Sequence, residues 1–175
     1  MARSFSRVVA FVEPTDPLGS RSEVFVAYLD FFRETLIAEF ERLPPEEVRS
    51  SRLPSGWSPL ELLEHLRRVE RRWLEWGFLG IDLADPWAEF RRGRWHVPTE
   101  TPAREVVAGL RAQGVRSSDT IRGHDLDERA RPGPRWEDGE PATLERVLFH
   151  LVQEYARHVG QLDVVTELIT GVTGE

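Results

Sequence analysis

Apolar residues recur at three- and four-residue spacing along successive stretches of this 175-residue chain, and no stretch alternates convincingly with period two. A pattern of that period gathers its side chains on one face only as a helix, so it restricts the chain to the all-α class. From about 20 to 43 the stripe is Phe25, Tyr28, Leu29, Phe32, Leu36, Phe40 and Leu43, and Pro44-Pro45 stops it. The second helix has the clearest start: Ser58-Pro59-Leu60-Glu61 reads as a capping box with proline in the first helical position. Trp57 and Leu62 can form its staple, Leu62, Leu66, Val69, Trp73 and Trp76 make its stripe, and Gly77 or Gly80 ends it. A third helix is expected from Thr101-Pro102 toward Asp119 or beyond, with Val106, Val107 and Leu110 inward and Gly109 and Gly114 weakening it. The fourth begins near Thr143 and runs to about Thr170, carrying Leu144, Val147, Leu151, Tyr155, Leu162, Val165 and Ile169 on one side.

Between these helices, residues 78–100 form a long connection whose Trp87, Phe90 and Trp95 imply that it packs on the body. A connection of that length can cross the end of a bundle. Residues 122–140, with Pro132-Gly133-Pro134 and Asp138-Gly139, read as loop with at most a short turn of ribbon, and Trp136 there can cover the bundle's open end. Four long helices with one or two long crossovers make a four-helix bundle. The length suits a single domain over 1–175, with residues 1–19 as an extended N-terminal segment.

Composition narrows the chemistry. No apolar run approaches the ~20 residues of a membrane span. The basic start and short apolar patch of residues 1–12, interrupted at Glu13 and Pro14, do not make a secretory signal, so a cytoplasmic protein is expected. The absence of cysteine excludes disulfides, zinc–thiolate sites, iron–sulfur clusters and a thiol nucleophile of the chain's own. A net charge of −7 with scattered acidic residues argues against nucleic acid as a partner. All 23 basic residues are arginine, which excludes lysine Schiff-base chemistry and a lysine-bearing phosphate loop.

The candidate site emerges when each polar residue is placed at ~100° per residue against its helix's stripe. His158 falls near the centre of the fourth stripe, flanked by Leu151 and Leu162, and Glu154 lies roughly 60° toward one edge. Both face inward. His65 sits roughly 60° from the centre of the second stripe, at the edge of the core. An unpaired buried carboxylate costs several kcal/mol, and a divalent metal offsets that cost. The i, i+4 spacing of Glu154 and His158 puts both beside one ion, with His65 as third ligand from a facing helix. Such a set leaves a position open for water or substrate, as catalytic zinc sites do, and also suits non-haem iron, nickel or manganese. The opposing reading is two ordinary core-edge histidines and a surface Glu–His pair.

Three further residues are candidates around that set. His150 drifts about 100° off centre, to a boundary position outside the ligand set. Gln161 lies near the angular position of Glu154, where it can hydrogen-bond a ligand or substrate. Arg67, Arg68, Arg71 and Arg72 interleave with Glu64, Glu70 and Glu75, which predicts a solvated, salt-bridged face. Arg72 follows His65 by seven residues, ~10 Å along the axis, and is a candidate partner for an anionic substrate group. His96 and His124 lie in connections with no patterned environment.

At Gly56-Trp57-Ser58-Pro59-Leu60-Glu61-Leu62-Leu63-Glu64-His65-Leu66, and at His150-Leu151-Val152-Gln153-Glu154-Tyr155-Ala156-Arg157-His158-Val159-Gly160-Gln161, the chain resembles the DinB/YfiT-like superfamily. The resemblance covers most of the chain and implies a four-helix order with a metal-binding histidine on the second helix and an H-x3-H-x-G-Q-like motif late in the fourth. Glu154 stands where histidine is commoner, as in the branch resembling the mycothiol-dependent maleylpyruvate isomerase metal-binding domain. By position, the resemblance gives His65, Glu154 and His158 the ligand roles. It also implies a homodimer, a small-molecule substrate and, for thiol-dependent members, a low-molecular-weight external thiol that the cation ionises for use as a nucleophile. The expected function is a metal-dependent, thiol-cofactor-dependent transferase or isomerase. The alternatives are a non-catalytic metal- or small-molecule-binding stress protein and a metal-free bundle that dimerises through a helix face.

Overall fold

The computed structural model describes residues 10–137 and 139–173. Its helices are α1 (Arg21–Arg42), α2 (Pro59–Arg71), α3 (Ala103–Gly123) and α4 (Leu144–Thr170), and they form the all-α bundle that the periodicity predicts. Each of α1 and α2 packs mainly on α3 and α4, so α1 and α2 lie diagonally across the bundle and α2 is a direct neighbour of α4. Residues 1–9, with most of the N-terminal apolar patch, lie outside the described residues; residues 10–19 contain turns but no helix or strand. None of the described helices is long and apolar enough to cross a membrane.

Local chemistry explains the helix ends. The Ser20 hydroxyl accepts from the Glu23 amide and the Thr143 hydroxyl from the Arg146 amide, each satisfying a donor that the first turn leaves free. At the other end of α4, Gly171 takes φ +71°, the left-handed conformation that lets its amide bond back to the Glu167 carbonyl. The third helix is continuous despite its glycines, because one of them makes room. A Cβ at Gly114 would stand 2.5 Å from the Arg33 guanidinium of α1.

The second helix departs from the expected stripe. Past Arg71 it widens into a π segment, Arg72–Phe78, in which the Leu79 amide reaches the Leu74 carbonyl. The wider turn takes up an extra residue, so the inward positions step from Val69 to Leu74 and then Phe78. Trp73 and Trp76, expected in the stripe, are accordingly only half-buried.

A second departure concerns Glu70, which was expected on a solvated face. It is fully buried and accepts from Arg33 Nε at 3.0 Å, from the Ser117 hydroxyl and from the Tyr155 hydroxyl. One residue from each helix therefore meets at a single carboxylate. Arg67 and Arg68 do pair locally with Glu64, and Arg71 with Glu75, as the spacing predicts.

The long connection after α2 folds back as a short hairpin, β1 (Phe90–Arg91) and β2 (Arg94–Trp95), with Phe90 opposite Trp95. Arg92 and Gly93 both take positive φ, 51° and 78°, which matches the mirror-image turn that a two-residue hairpin loop needs. In the 122–140 region the ribbon reduces to one bridge, Arg129 to Thr143. Trp136 donates to the Gly77 carbonyl at 2.9 Å and so covers the π segment.

Candidate metal centre

The capping box at the start of α2 is complete: the Ser58 hydroxyl accepts from the Glu61 amide, and the Glu61 carboxylate accepts from the Ser58 amide at 2.8 Å. This fixes the entry of α2 two turns before His65. The His65 ring then meets α4, where Glu154 and His158 stand one turn apart. Ligand-type atoms of the three residues all lie within 4.8 Å of one another. Glu154 Oε2 is 3.3 Å from His158 Nε2 and 3.9 Å from His65 Nε2. Ligands held tetrahedrally at metal–ligand lengths near ~2.1 Å sit about 3.3–3.6 Å apart, so small side-chain adjustments close the set.

Orientation of the rings supports the same use. The His158 Nδ1–H donates to Gln161 Oε1 at 2.8 Å, which leaves Nε2 with the lone pair toward Glu154. Gln161 thus bonds the site histidine. His65 also turns Nε2 toward Glu154, while its buried Nδ1 has no hydrogen-bond partner and lies 3.7 Å from Glu89 Oε1. His158 first, and then His65, holds the neighbouring Glu154 carboxyl well below the usual carboxylate range, in the anionic form a cation binds. Two imidazole nitrogens and one carboxylate oxygen, with no thiolate, suit a borderline divalent ion.

Walls and opening are unequal. His158 is 7% exposed, whereas the Glu154 side chain is 26% exposed, so the cluster opens to solvent on the glutamate side. Trp95 of β2 stacks on His65 at 4.1 Å and meets His158 edge-on at 5.5 Å. The aromatic content of the connection signalled that it packs on the body, but nothing in the spacing pointed to this contact. His150 lies outside the three-residue set, as its angle predicts, with Nε2 3.3 Å from Glu154 Oε1 and its ring 4.4 Å from Trp73.

Arg72 requires a correction. It is 4% exposed, and its guanidinium is taken up by the Glu89 carboxylate, by the Pro86 carbonyl at 3.1 Å and by the Trp87 ring at 4.1 Å. The π widening and the returning connection enclose it, so it is not free to meet an anionic substrate. Glu89 is the residue that sequence reasoning missed. Burial raises its pKa, but His65 and Arg72 outweigh burial and leave it below its ordinary value, hence ionised.

A helical bundle carrying two imidazoles and a carboxylate between its second and fourth helices is a DinB/YfiT-like metal-binding protein in fold and site. A family model described as mycothiol-S-transferase matches residues 24–171, which is most of the chain. The chain belongs to that family, which is one of thiol-dependent transferases, and its His65–Glu154–His158 cluster can hold a metal ion. A comparison with curated proteins found no match.

Proposed function

We propose that the protein is a metal-dependent enzyme that transfers a low-molecular-weight external thiol of the mycothiol type to a small electrophile. The observation that carries this is the convergence of His65 Nε2, His158 Nε2 and Glu154 Oε2 at the solvent-open edge of the bundle, in a chain whose family is named for that thiol. Zinc is the cation we assign, held by these three side chains. When bound, it supplies Lewis acidity that favours the ionised form of a thiol at neutral pH. In the transfer a C–S bond forms as the electrophile's bond to its leaving group breaks. The leaving group departs with the bonding pair, and the thiol proton is released beforehand.

The chain's own residues prepare this step. Glu154 contributes negative charge, Gln161 holds His158 in the productive tautomer, and Trp95 closes the face over His65. His150 stands at the open side, its side chain 35% exposed, where it can take the thiol proton. The chain supplies no sulfur nucleophile, since it has no cysteine.

Metal analysis of purified protein alongside His65→Ala, Glu154→Ala and His158→Ala tests the site. The expected result is one divalent ion per wild-type chain and its loss from each variant with helicity retained. Unchanged metal content in all three would overturn the assignment. Consumption of mycothiol with a monohalogenated alkyl electrophile tests the reaction. Metal binding without turnover across such electrophiles would favour the non-catalytic binding protein.

A further inference from the structure

Arg72 and Glu89 form a buried ion pair that the ligand set does not include. Ion pairs so enclosed seldom add stability over apolar side chains of similar volume, so this one calls for another use. Its placement offers one. Glu89 Oε1 lies 3.7 Å from His65 Nδ1, about 0.5 Å beyond the longest ordinary N–H···O bond. His65 Nδ1 and Glu89 Oε2 are both buried and without a hydrogen-bond partner, so each lacks what the other offers.

We propose that Glu89, clamped by Arg72, is the positioning residue of His65: its carboxylate holds the Nδ1–H edge of the ring, so that Nε2 keeps its lone pair toward Glu154 and His158. This deepens the metal-centre reading and rests on it for its purpose. A neutral imidazole has one N–H, and His65 has a carboxylate near each nitrogen, Glu89 at 3.7 Å and Glu154 at 3.9 Å. The Glu89 side chain is 2% exposed and that of Glu154 26%. A hydrogen bond is worth more in the drier surroundings, so the proton goes to Glu89 and Glu154 stays free for a cation. Trp95 fixes the plane of the ring by stacking, and the carboxylate fixes its rotation within that plane.

The clamp explains how a residue from a loop acquires the needed precision. Arg72 stands at the first position of the π segment and binds the connection at the Pro86 carbonyl, the Trp87 ring and the Glu89 carboxylate. The His96 amide bonds the Glu89 carbonyl at 2.7 Å, which ties the same residue to the base of the hairpin. The other histidine is served in the same way by Gln161. Carboxylate or amide acceptors behind metal-binding imidazoles orient the ring and raise its basicity.

Long-range proton–nitrogen correlation spectra of metal-free, 15N-labelled protein, recorded well above the ordinary imidazole pKa, read the tautomer directly. Wild-type His65 is expected as the Nδ1–H form, the opposite of the form that predominates in free histidine. The comparison variant is Arg72→Met with Glu89→Leu, which removes both charges together and leaves neither buried alone. It is expected to lose the Nδ1–H form and to bind Zn2+ about 10- to 100-fold more weakly in chelator competition. An Nδ1–H form absent from wild type, or retained in the double variant, overturns the proposal, as does an affinity within about threefold of wild type. Should the double variant not fold, Glu89→Gln carries the test: affinity about tenfold weaker supports the proposal, and unchanged affinity overturns it. A wild type that takes up no Zn2+ overturns the metal-centre reading, while the tautomer comparison still decides the role of Glu89.

Discussion

A glutamate at position 154, in place of a third imidazole, removes one unit of positive charge from any divalent centre it helps to hold. A less positive centre acidifies its thiol less, so the reaction should need a higher pH than an all-imidazole centre would. Glu154→His restores the commoner ligand. The expected outcome is retained metal and a pH–rate profile whose acidic limb moves to lower pH; an unmoved limb would show that thiol ionisation does not set it. At this scale much of the site was legible, because i, i+4 spacing and angular position are local properties of a helix. They put Glu154 and His158 one turn apart on one face of α4, where the two side chains stand beside each other and beside His65. Arg72 shows the limit of such local properties, since its angle says nothing about the connection that encloses its side chain.

Among the elements, the π segment has the widest consequences. It moves the buried stripe from Trp73 and Trp76 onto Leu74 and Phe78, and its first residue clamps the hairpin that bears Trp95. Sequence periodicity assumes a constant turn, and a widened turn breaks that assumption without changing composition. The glycines of α3 show the reverse case, in which low propensity is overridden by fit. At Gly114 an added methyl would collide with the guanidinium of Arg33, itself held by Glu70 and Asp30. Gly114→Ala gains helix propensity, about 1 kcal/mol, yet is expected to destabilise the protein overall by roughly 1–3 kcal/mol through overpacking. Urea unfolding checks the sign, and a stabilised variant would show that Arg33 yields freely.

Over the whole molecule, the four helices are keyed to one another at Glu70. Tyr155 in that cluster is fully buried, and burial, reinforced by the neighbouring Glu70 anion, raises its pKa well above the ordinary 10.0. The folded chain therefore keeps the phenol proton at a pH where the unfolded chain releases it. Stability from this group is complete below about pH 10 and falls as pH rises beyond it, by up to about 1.4 kcal/mol per pH unit. A chain with two tyrosines, no lysine and no cysteine has few other groups to obscure that fall. Tyr155→Phe is expected to cost about 1–3 kcal/mol at neutral pH, by leaving Glu70 one donor short, and to flatten the alkaline decline. Denaturant midpoints between pH 8 and 11 would show it; an equally steep decline in the variant would assign the loss elsewhere.

The all-α class, the starts of the helices and the pairing of Glu154 with His158 on one helix face were set along the chain itself, since turn geometry, caps and side-chain spacing act over a few neighbouring residues. Contacts between distant segments decided the rest. Glu89 lies 24 positions beyond His65 and Trp95 six further on, in a connection with no repeat to interpret, and they reach the ring only because Arg72 binds that connection to the helix. Whether an arginine faces water or a glutamate, and whether Glu70 is solvated or shared by four helices, depends on which surfaces meet. The energy of a charge is set by its surroundings, and those exist only once the chain has closed around it.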